Sequence, residues 1–514
     1  MKSWTFARRN KTMWMQIRRL SVIIPQPNRT PKMPPQKLFI NNEWVSPAAD
    51  KKFELVNPTN EKVFGECALA DKEDIETAVD AAKKAFRRGS AWRSMDASRR
   101  GFLINRLADL VERDAALLSS LEAIECGKVF SHTLKGDVQK AISVLRYYAG
   151  YADKHGGEVG QPNGKFVGYT KQEPLGVAAC IVSWNFSLMI TMWKLAAALA
   201  AGCTTVLKPS QYSSLAVLHI GNLAKEVGFP PGVVNIVTGP GKIGSHLVEN
   251  TDVDVVSFTG STSVGVEIYR KAADTMKRLV LELGGKSANI ILKDADLDGA
   301  VEHAHLASFH NQGQCCAAGS RTFVHESMYE KFVDKMKERL TKKKIGDPLD
   351  LDVDHGPQTT KDQAEIVMRY IEAGQREGAC LEAGGKRLER PGYFIEPTIF
   401  SNVTDDMTIA KEEIFGPVMQ ILSYKDIEEV IDRANSSEYG LAASVFGSDI
   451  DDIYTVAEGV RAGSCWVNCT LTIEPALPFG GYQMSGIGRE GGRLGIQAFT
   501  EAKSVFIRTK SKNS

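Results

Sequence analysis

Residues 177–208 read VAACIVSWNFSLMITMWKLAAALAAGCTTVLK. VAACIVSW is a short apolar run with β-branched residues, as in a buried strand. SLMITMWKLAAALAAG is long enough for a helix closed by Gly202, and TTVLK is again strand-like. The rhythm continues: SSLAVLHIGNLAKEVG helical, VVNIVTG extended, a short helix, VDVVSFTGS extended, another helix, then RLVLEL. Buried apolar strands separated by amphipathic helices predict an α/β chain with a doubly wound parallel sheet. Such sheets bind ligands beyond the carboxyl ends of their strands, where WNFS, KPSQ, TGPG, FTGSTSVG and ELGGK all fall. FTGSTSVG opens a helix with glycine and hydroxyl residues, a setting that suits a phosphate or pyrophosphate.

Upstream, KLFINNEWV predicts a hairpin turning at Asn41-Asn42. Ile75, Ala78, Val79, Ala82 and Phe86 form one helical stripe; Leu103, Leu107, Leu110 and Val111 form another. Downstream, a second set of strand and helix signals runs from Lys286 to about Met484. GGEVGQPNGKFVGYTKQE and the C-terminal AFTEAKSVFIR alternate, which predicts paired strands projecting from the body. Long exposed edges invite a second copy of the chain, so an oligomer is expected.

The 514 residues are 43% hydrophobic, enough for two or three cored domains. Lys plus Arg (63) and Asp plus Glu (62) nearly cancel, leaving no basic footprint for nucleic acid. Residues 1–42 hold nine basic residues and no acid, so the remainder carries a net −8. If Arg8–Ile24 is helical, Met13, Ile17, Leu20 and Ile24 share one face, with Arg8, Lys11, Arg18 and Arg19 opposite. Arg-rich, acid-free and amphipathic is the pattern of a mitochondrial presequence, which predicts the mitochondrial matrix. The alternatives are a disordered tail, or initiation at Met33, in a cytoplasmic protein. The charge-free run Pro174–Trp193 is long enough for a membrane span, but Ser183, Trp184, Asn185, Phe186 and Ser187 interrupt it and no membrane partner is predicted.

Nine scattered cysteines without a secretory signal predict free thiols. No CxxC pair and no HExxH is present, so no metal site is predicted. FHNQGQCCAAGSR, Phe309–Arg321, leaves three readings of its cysteine pair: a redox or metal pair, a papain-type protease, or a thiol attacking another electrophile. A papain-type base requires a histidine about 130–150 residues downstream. The last one, His355, lies only 39 residues beyond Cys316, so that reading fails.

A cysteine with a carboxylate in LELGGKSANII and a nucleotide-type sheet remains. FINNEW, MDASRRG, EPLGV, WNF, WKLAAALAAG, GFPPGVVNIV, FTGST, LELGGKS, NQGQCCAAGSR, AKEEIFGPV, WVNC and PFGGYQMSGIGRE occur in order between Leu38 and Arg508. The chain thereby resembles the NAD(P)-dependent aldehyde dehydrogenase superfamily, closest to its tetrameric cytosolic and mitochondrial classes. The resemblance implies a Rossmann-type coenzyme domain (residues 37–150 and 175–284) and a second α/β catalytic domain (285–484). It further implies a small β oligomerisation element (151–174 and 497–514), after a leader spanning 1–36, in a homotetramer or homodimer.

It also implies oxidation of a small-molecule aldehyde to its acid with NAD or NADP. By resemblance Cys316 is the nucleophile, Asn185 an oxyanion donor, Glu282 the general base, Glu490 a proton relay and Lys194 their partner. Trp184, Lys208, Ser210, Gln211, Gly241, Gly260, Ser261, Gly265, Gln363, Glu413 and Phe415 would hold the cofactor. Phe186, Trp193, Ile473 and Phe479 would line the substrate tunnel. A non-catalytic protein on this fold, or a thiol esterase using Cys316 alone, are the competing functions. The sequence departs from the family pattern at Gln211, where many members carry Glu, and a neutral amide tolerates the 2′-phosphate of NADP. Ser187 replaces the usual proline and is expected to loosen the turn carrying Asn185; Cys203 and Ser263 are further departures. Glu474 stands in the tunnel wall or faces water.

Overall fold

The computed structural model describes residues 25–510, so the amphipathic stretch Arg8–Ile24 lies outside the described residues. Strands β1 (Leu38–Ile40) and β2 (Glu43–Val45) form the expected hairpin. Asn41 and Asn42 turn it at φ 54° and 64°, left-handed values that Asn tolerates and a tight hairpin requires.

The quoted stretch folds as its pattern dictates. Strand β3 (Val177–Ile181) leads into helix α1 (Ser187–Ala201), and β4 (Thr204–Lys208) follows. Gly202, at φ 99°, ends α1 by donating its N–H to the Ala198 carbonyl at 3.1 Å. β5 (Val234–Ile236), β6 (Val255–Thr259) and β7 (Arg278–Glu282) complete a parallel core ordered β5-β4-β3-β6-β7. Strand order reverses where β3 meets β6, which opens a crevice at their carboxyl ends. The hairpin and the antiparallel segment Gly486–Ile487 flank this sheet.

One expectation is corrected. Helix α1 is not amphipathic: all fifteen residues are buried, Lys194 included. It packs against Ala97–Arg113, Val138–Tyr151 and Leu215–Val227 as well as the sheet, so no face needs to be polar. That accounts for the charge-free run around it. No helix among the described residues is long and apolar enough to cross a membrane.

The second sheet comprises β8 (Ala288–Ile291), β9 (Arg321–His325), β10 (Cys380–Ala383), β11 (Thr398–Ser401), β12 (Val418–Tyr424), β13 (Ala442–Phe446) and β14 (Ser464–Val467). Its order is β10-β11-β12-β9-β8-β13-β14, parallel except for β10. Separate apolar clusters cover its two faces. Cys315, Ala317, Leu441 and Phe479, from loops of this half, and Trp466, from β14, pack into the core of the first sheet. The site lies at that seam.

A third element pairs Phe166–Pro174 with Thr500–Arg508 over nine antiparallel positions, with Val159–Gly160 on its other edge. It begins later than the pattern suggested at both ends. Tyr151 still belongs to the helix Val138–Tyr151, and Gln497 ends the helix Gly492–Gln497.

Candidate active site

Phe186, Met189, Ile190 and Trp193 project from one face of α1 and its entry into a cavity. Leu471, Ile473 and Phe479 enclose it from the other half, with Cys316, Glu282 and Glu490 in its wall. The four residues expected to line a tunnel thus line one cavity together. Met189, Ile190, Leu471, Lys140 and His310 line it as well and escaped the sequence reading. The first two were findable, since 186, 189, 190 and 193 follow helical spacing.

The Cys316 loop owes its shape to the NQG triplet. Asn311, Gln312 and Gly313 take positive φ in succession (49°, 58° and 71°). A Cβ on Gly313 would fall 2.1 Å from the Gly416 carbonyl oxygen, so only glycine fits. Gly285 plays the same part opposite: its Cβ would meet the Cys316 carbonyl oxygen at 2.4 Å. The LGG turn after Glu282 can thus lie directly against the cysteine.

Glu282 ends β7 with 4% of its surface exposed, and its Oε1 has no hydrogen-bond partner. Burial pushes its carboxyl up to about 8, although contact with the Cys316 thiol draws it partly back. The adjacent Cys315 thiol, burial and the Glu282 charge together hold the Cys316 thiol well above its usual range. The resting pair is therefore largely un-ionised at neutral pH, and it titrates as a unit.

Asn185 is 3% exposed and its amide is fixed at both ends. Its Oδ1 accepts from Ser183 Oγ at 2.7 Å, and its Nδ2 donates to the Gln314 carbonyl at 3.1 Å. One of its two N–H bonds is left without a partner among the described residues. Ser187 does not loosen this turn, contrary to expectation. Its hydroxyl donates to the Ser213 carbonyl at 3.0 Å, and Glu122 Oε1 accepts from Leu188 N at 2.9 Å.

Lys194, wholly buried in α1, forms an ion pair with Glu490 Oε1 and donates to Ser257 Oγ at 3.1 Å. Ser257 Oγ in turn donates to Glu490 Oε1 at 3.3 Å. The lysine thus anchors one oxygen of a carboxylate that lines the cavity.

On the far side of the Trp184–Asn185–Phe186 turn, a groove of about 1800 Å3 follows the sheet crevice. Trp184, Lys208, Ser210, Gln211, Gly241, Gly260 and Ser261 line it, as expected for a cofactor site. A dinucleotide fits on physical grounds. The helix Thr262–Ala272 opens toward the groove with no side-chain cap on its N–H groups, and Lys208 Nζ has no partner among the described residues. Burial lowers the Lys208 ammonium to about 8.

Four other cofactor candidates sit apart from the groove wall. Gly265 is a packing residue: its Cβ would lie 2.4 Å from Leu283 Cδ2. Gln363 donates to the carbonyls of Ile414 (3.1 Å) and Phe415 (3.0 Å), which holds the left-handed Phe415 (φ 54°) edge-on to Trp184 at 5.3 Å. Glu413 accepts from Gly285 N at 3.1 Å, and burial raises its carboxyl to about 7. Among the departures, Cys203 is buried, Ser263 lies 3.3 Å from Ser261, and Glu474 is exposed and faces water rather than the cavity.

Residues 44–505 match the aldehyde dehydrogenase family. The chain is 52% identical to aldehyde dehydrogenase 1A1 of Gallus gallus over 96% of this chain and 97% of that one. It is 50% identical to the mitochondrial aldehyde dehydrogenase of Homo sapiens over 96% and 95%. Relatives bearing mitochondrial and cytosolic names both occur at this level. The structure of an NAD+ complex of a Bacillus cereus aldehyde dehydrogenase superposes with a TM-score of 0.91 at 46% identity, covering 92% of this chain and 96% of that one. With sequence, fold and family match in agreement over nearly its whole length, the chain belongs to the aldehyde dehydrogenase family.

Proposed function

We propose that Cys316 attacks the aldehyde, that Asn185 and the Cys316 backbone N–H hold the resulting oxyanion, and that Glu282 activates the hydrolytic water. Family membership makes the chain an NAD(P)-dependent enzyme that oxidises aldehydes to carboxylic acids. The observation that carries the assignment is the meeting of Cys316, Glu282 and Glu490 in one apolar cavity beside the dinucleotide groove.

As the Cys316 S–C bond forms, the thiol proton passes to the ionised fraction of Glu282, which grows as pH rises toward and past 8. The carbonyl π electrons move onto oxygen, where the unpartnered N–H of Asn185 meets them. NAD(P)+, when bound, supplies the acceptor for the hydride that leaves the thiohemiacetal carbon. The Cys316 thioester remains. Once Glu282 has given up the thiol proton to solvent by way of Glu490, it takes a proton from water as the water oxygen attacks the acyl carbon. The S–C bond then breaks, the acid leaves, and the Glu282 proton returns to the Cys316 sulfur. Glu490, held by Lys194, passes protons onward. Trp184, with Phe415 edge-on against it, shapes one end of the groove, while Lys208, Ser210 and Gln211 hold the adenosine end.

The domain division given by the sequence is supported by the two separate sheets. The exposed strand Thr500–Arg508, with Phe506 and Ile507 facing solvent, supports assembly into a homodimer or homotetramer. The basic leader and the mitochondrial human relative support the matrix. Mass spectrometry of Glu282→Gln given aldehyde and NAD+ tests the core of this reading. An acyl adduct on Cys316 is expected; product formation with no adduct there overturns it.

A further inference from the structure

Asn185 serves as an oxyanion donor only if its backbone is fixed as firmly as its amide. Its carbonyl oxygen accepts from two buried side chains, Asn311 Nδ2 at 3.0 Å and Lys128 Nζ at 2.8 Å. Lys128 is 3% exposed and sits deep behind the cavity. Its ammonium also pairs with Asp137, lies 3.6 Å from Glu122 and stands 4.4 Å from the centre of the Phe186 ring. Three N–H bonds thus face two carboxylates and the Asn185 carbonyl.

The surrounding backbone is shaped to deliver these groups. Gly127, at φ 75°, ends the helix Ala115–Cys126 and turns the chain so that Lys128 enters the interior. Its Cβ would lie 2.7 Å from Pro357, so no side chain fits there. Asp137 closes a π-helical turn, Thr133–Asp137, inserted before the helix Val138–Tyr151. Such turns cost hydrogen-bond geometry and are frequent at functional sites. Glu122 caps Leu188 N, the first turn of α1, whose own N-cap Phe186 supplies no side-chain acceptor. The cluster therefore grips the Asn185 turn on both sides, at its carbonyl and at the amide three residues on.

We infer that Lys128, locked by Asp137 and Glu122, is a positioning residue that sets Asn185 for the developing oxyanion. The inference rests on the role of Asn185 given above.

Removing the ammonium alone would strand buried carboxylates, so the test pairs Lys128→Met with Asp137→Asn, which keeps the charge balance. Two rates are read: the burst of reduced cofactor with a saturating aldehyde, and cofactor-free hydrolysis of an aryl ester by Cys316. Both should fall about 10- to 100-fold with little change in KM. In an Asn185→Ala background the same pair should cost almost nothing more, because the group it positions is gone. An equal loss in both backgrounds, or no loss in either, overturns the inference. If Asn185→Ala alone leaves both rates intact, the oxyanion assignment itself falls and the inference with it. Should the paired variant not fold, Asp137→Asn alone decides by the same cycle: it keeps Lys128 but slackens its anchor, so a smaller loss that again disappears with Asn185→Ala is expected.

Discussion

The cavity and the groove lie on either side of the Trp184–Phe186 turn yet treat their polar groups in opposite ways. In the cavity wall, Lys194 is tied to Glu490 and Ser257, and Glu282 lies against Cys316. In the groove wall, Lys208 is buried and Gln211 half-buried, and neither side chain has a protein partner among the described residues. Lys194 and Glu490 are pre-bonded to each other, so little must reorganise about them at the barrier. Groups that bind are left open, and the ligand satisfies them. Burial also drives the two regions in opposite senses with pH. Near pH 8, rising pH ionises Glu282 and favours base catalysis, while it neutralises Lys208 and weakens the hold on an anionic cofactor.

The contrast breaks first at Cys316. Cys316→Ala should cut dehydrogenase activity by about 10⁴-fold or more, while Cys315→Ala retains most of it; stopped-flow bursts at 340 nm separate the two. The opposite result would move the nucleophile. Glu282→Gln should lower steady-state turnover about 10²- to 10³-fold, more than it lowers the burst. In the parent protein kcat should climb with pH through a midpoint near 8, and in this variant the climb should vanish. Equal slowing of burst and turnover would deny Glu282 its part in hydrolysis.

Groove substitutions should act on binding instead. Lys208→Met should raise the KM for NAD+ about 10- to 100-fold with kcat nearly unchanged, and abolish the loss of kcat/KM for cofactor above pH 8. A fall in kcat of the same size would erase the distinction between the regions. Gln211→Glu should have the mildest effect, shifting the ratio of kcat/KM for NAD+ over NADP+ upward by about 10-fold through repulsion of the 2′-phosphate. No shift would place the adenosine ribose elsewhere in the groove.

Much of this was readable in one dimension, where local pattern and local structure coincide. The alternation from Val177 to Glu282 fixed the doubly wound sheet, and the double asparagine fixed the hairpin. What escaped depends on segments distant in sequence. His310, six residues before Cys316, lines the cavity and stacks on Phe186 at 5.8 Å, but a search for a downstream base overlooks it. Burial pushes its imidazole down to about 4, so it is neutral at physiological pH. The packing of Gly265 against Leu283 and the bracing of Phe415 by Gln363 likewise depend on partners the local pattern does not show. The burial of α1 on every side could not be inferred without knowing which helices cover it.

Trp184 faces the cofactor groove, and Phe186, two residues on, faces the aldehyde. Neighbouring Cα atoms along a trans chain are only about 3.8 Å apart, so the two reactants are sensed by one short strip of backbone. A smaller side chain at position 186, which would widen the cavity, is therefore expected to disturb Trp184 in the groove wall as well, so that a change of aldehyde size should be read out in coenzyme affinity too.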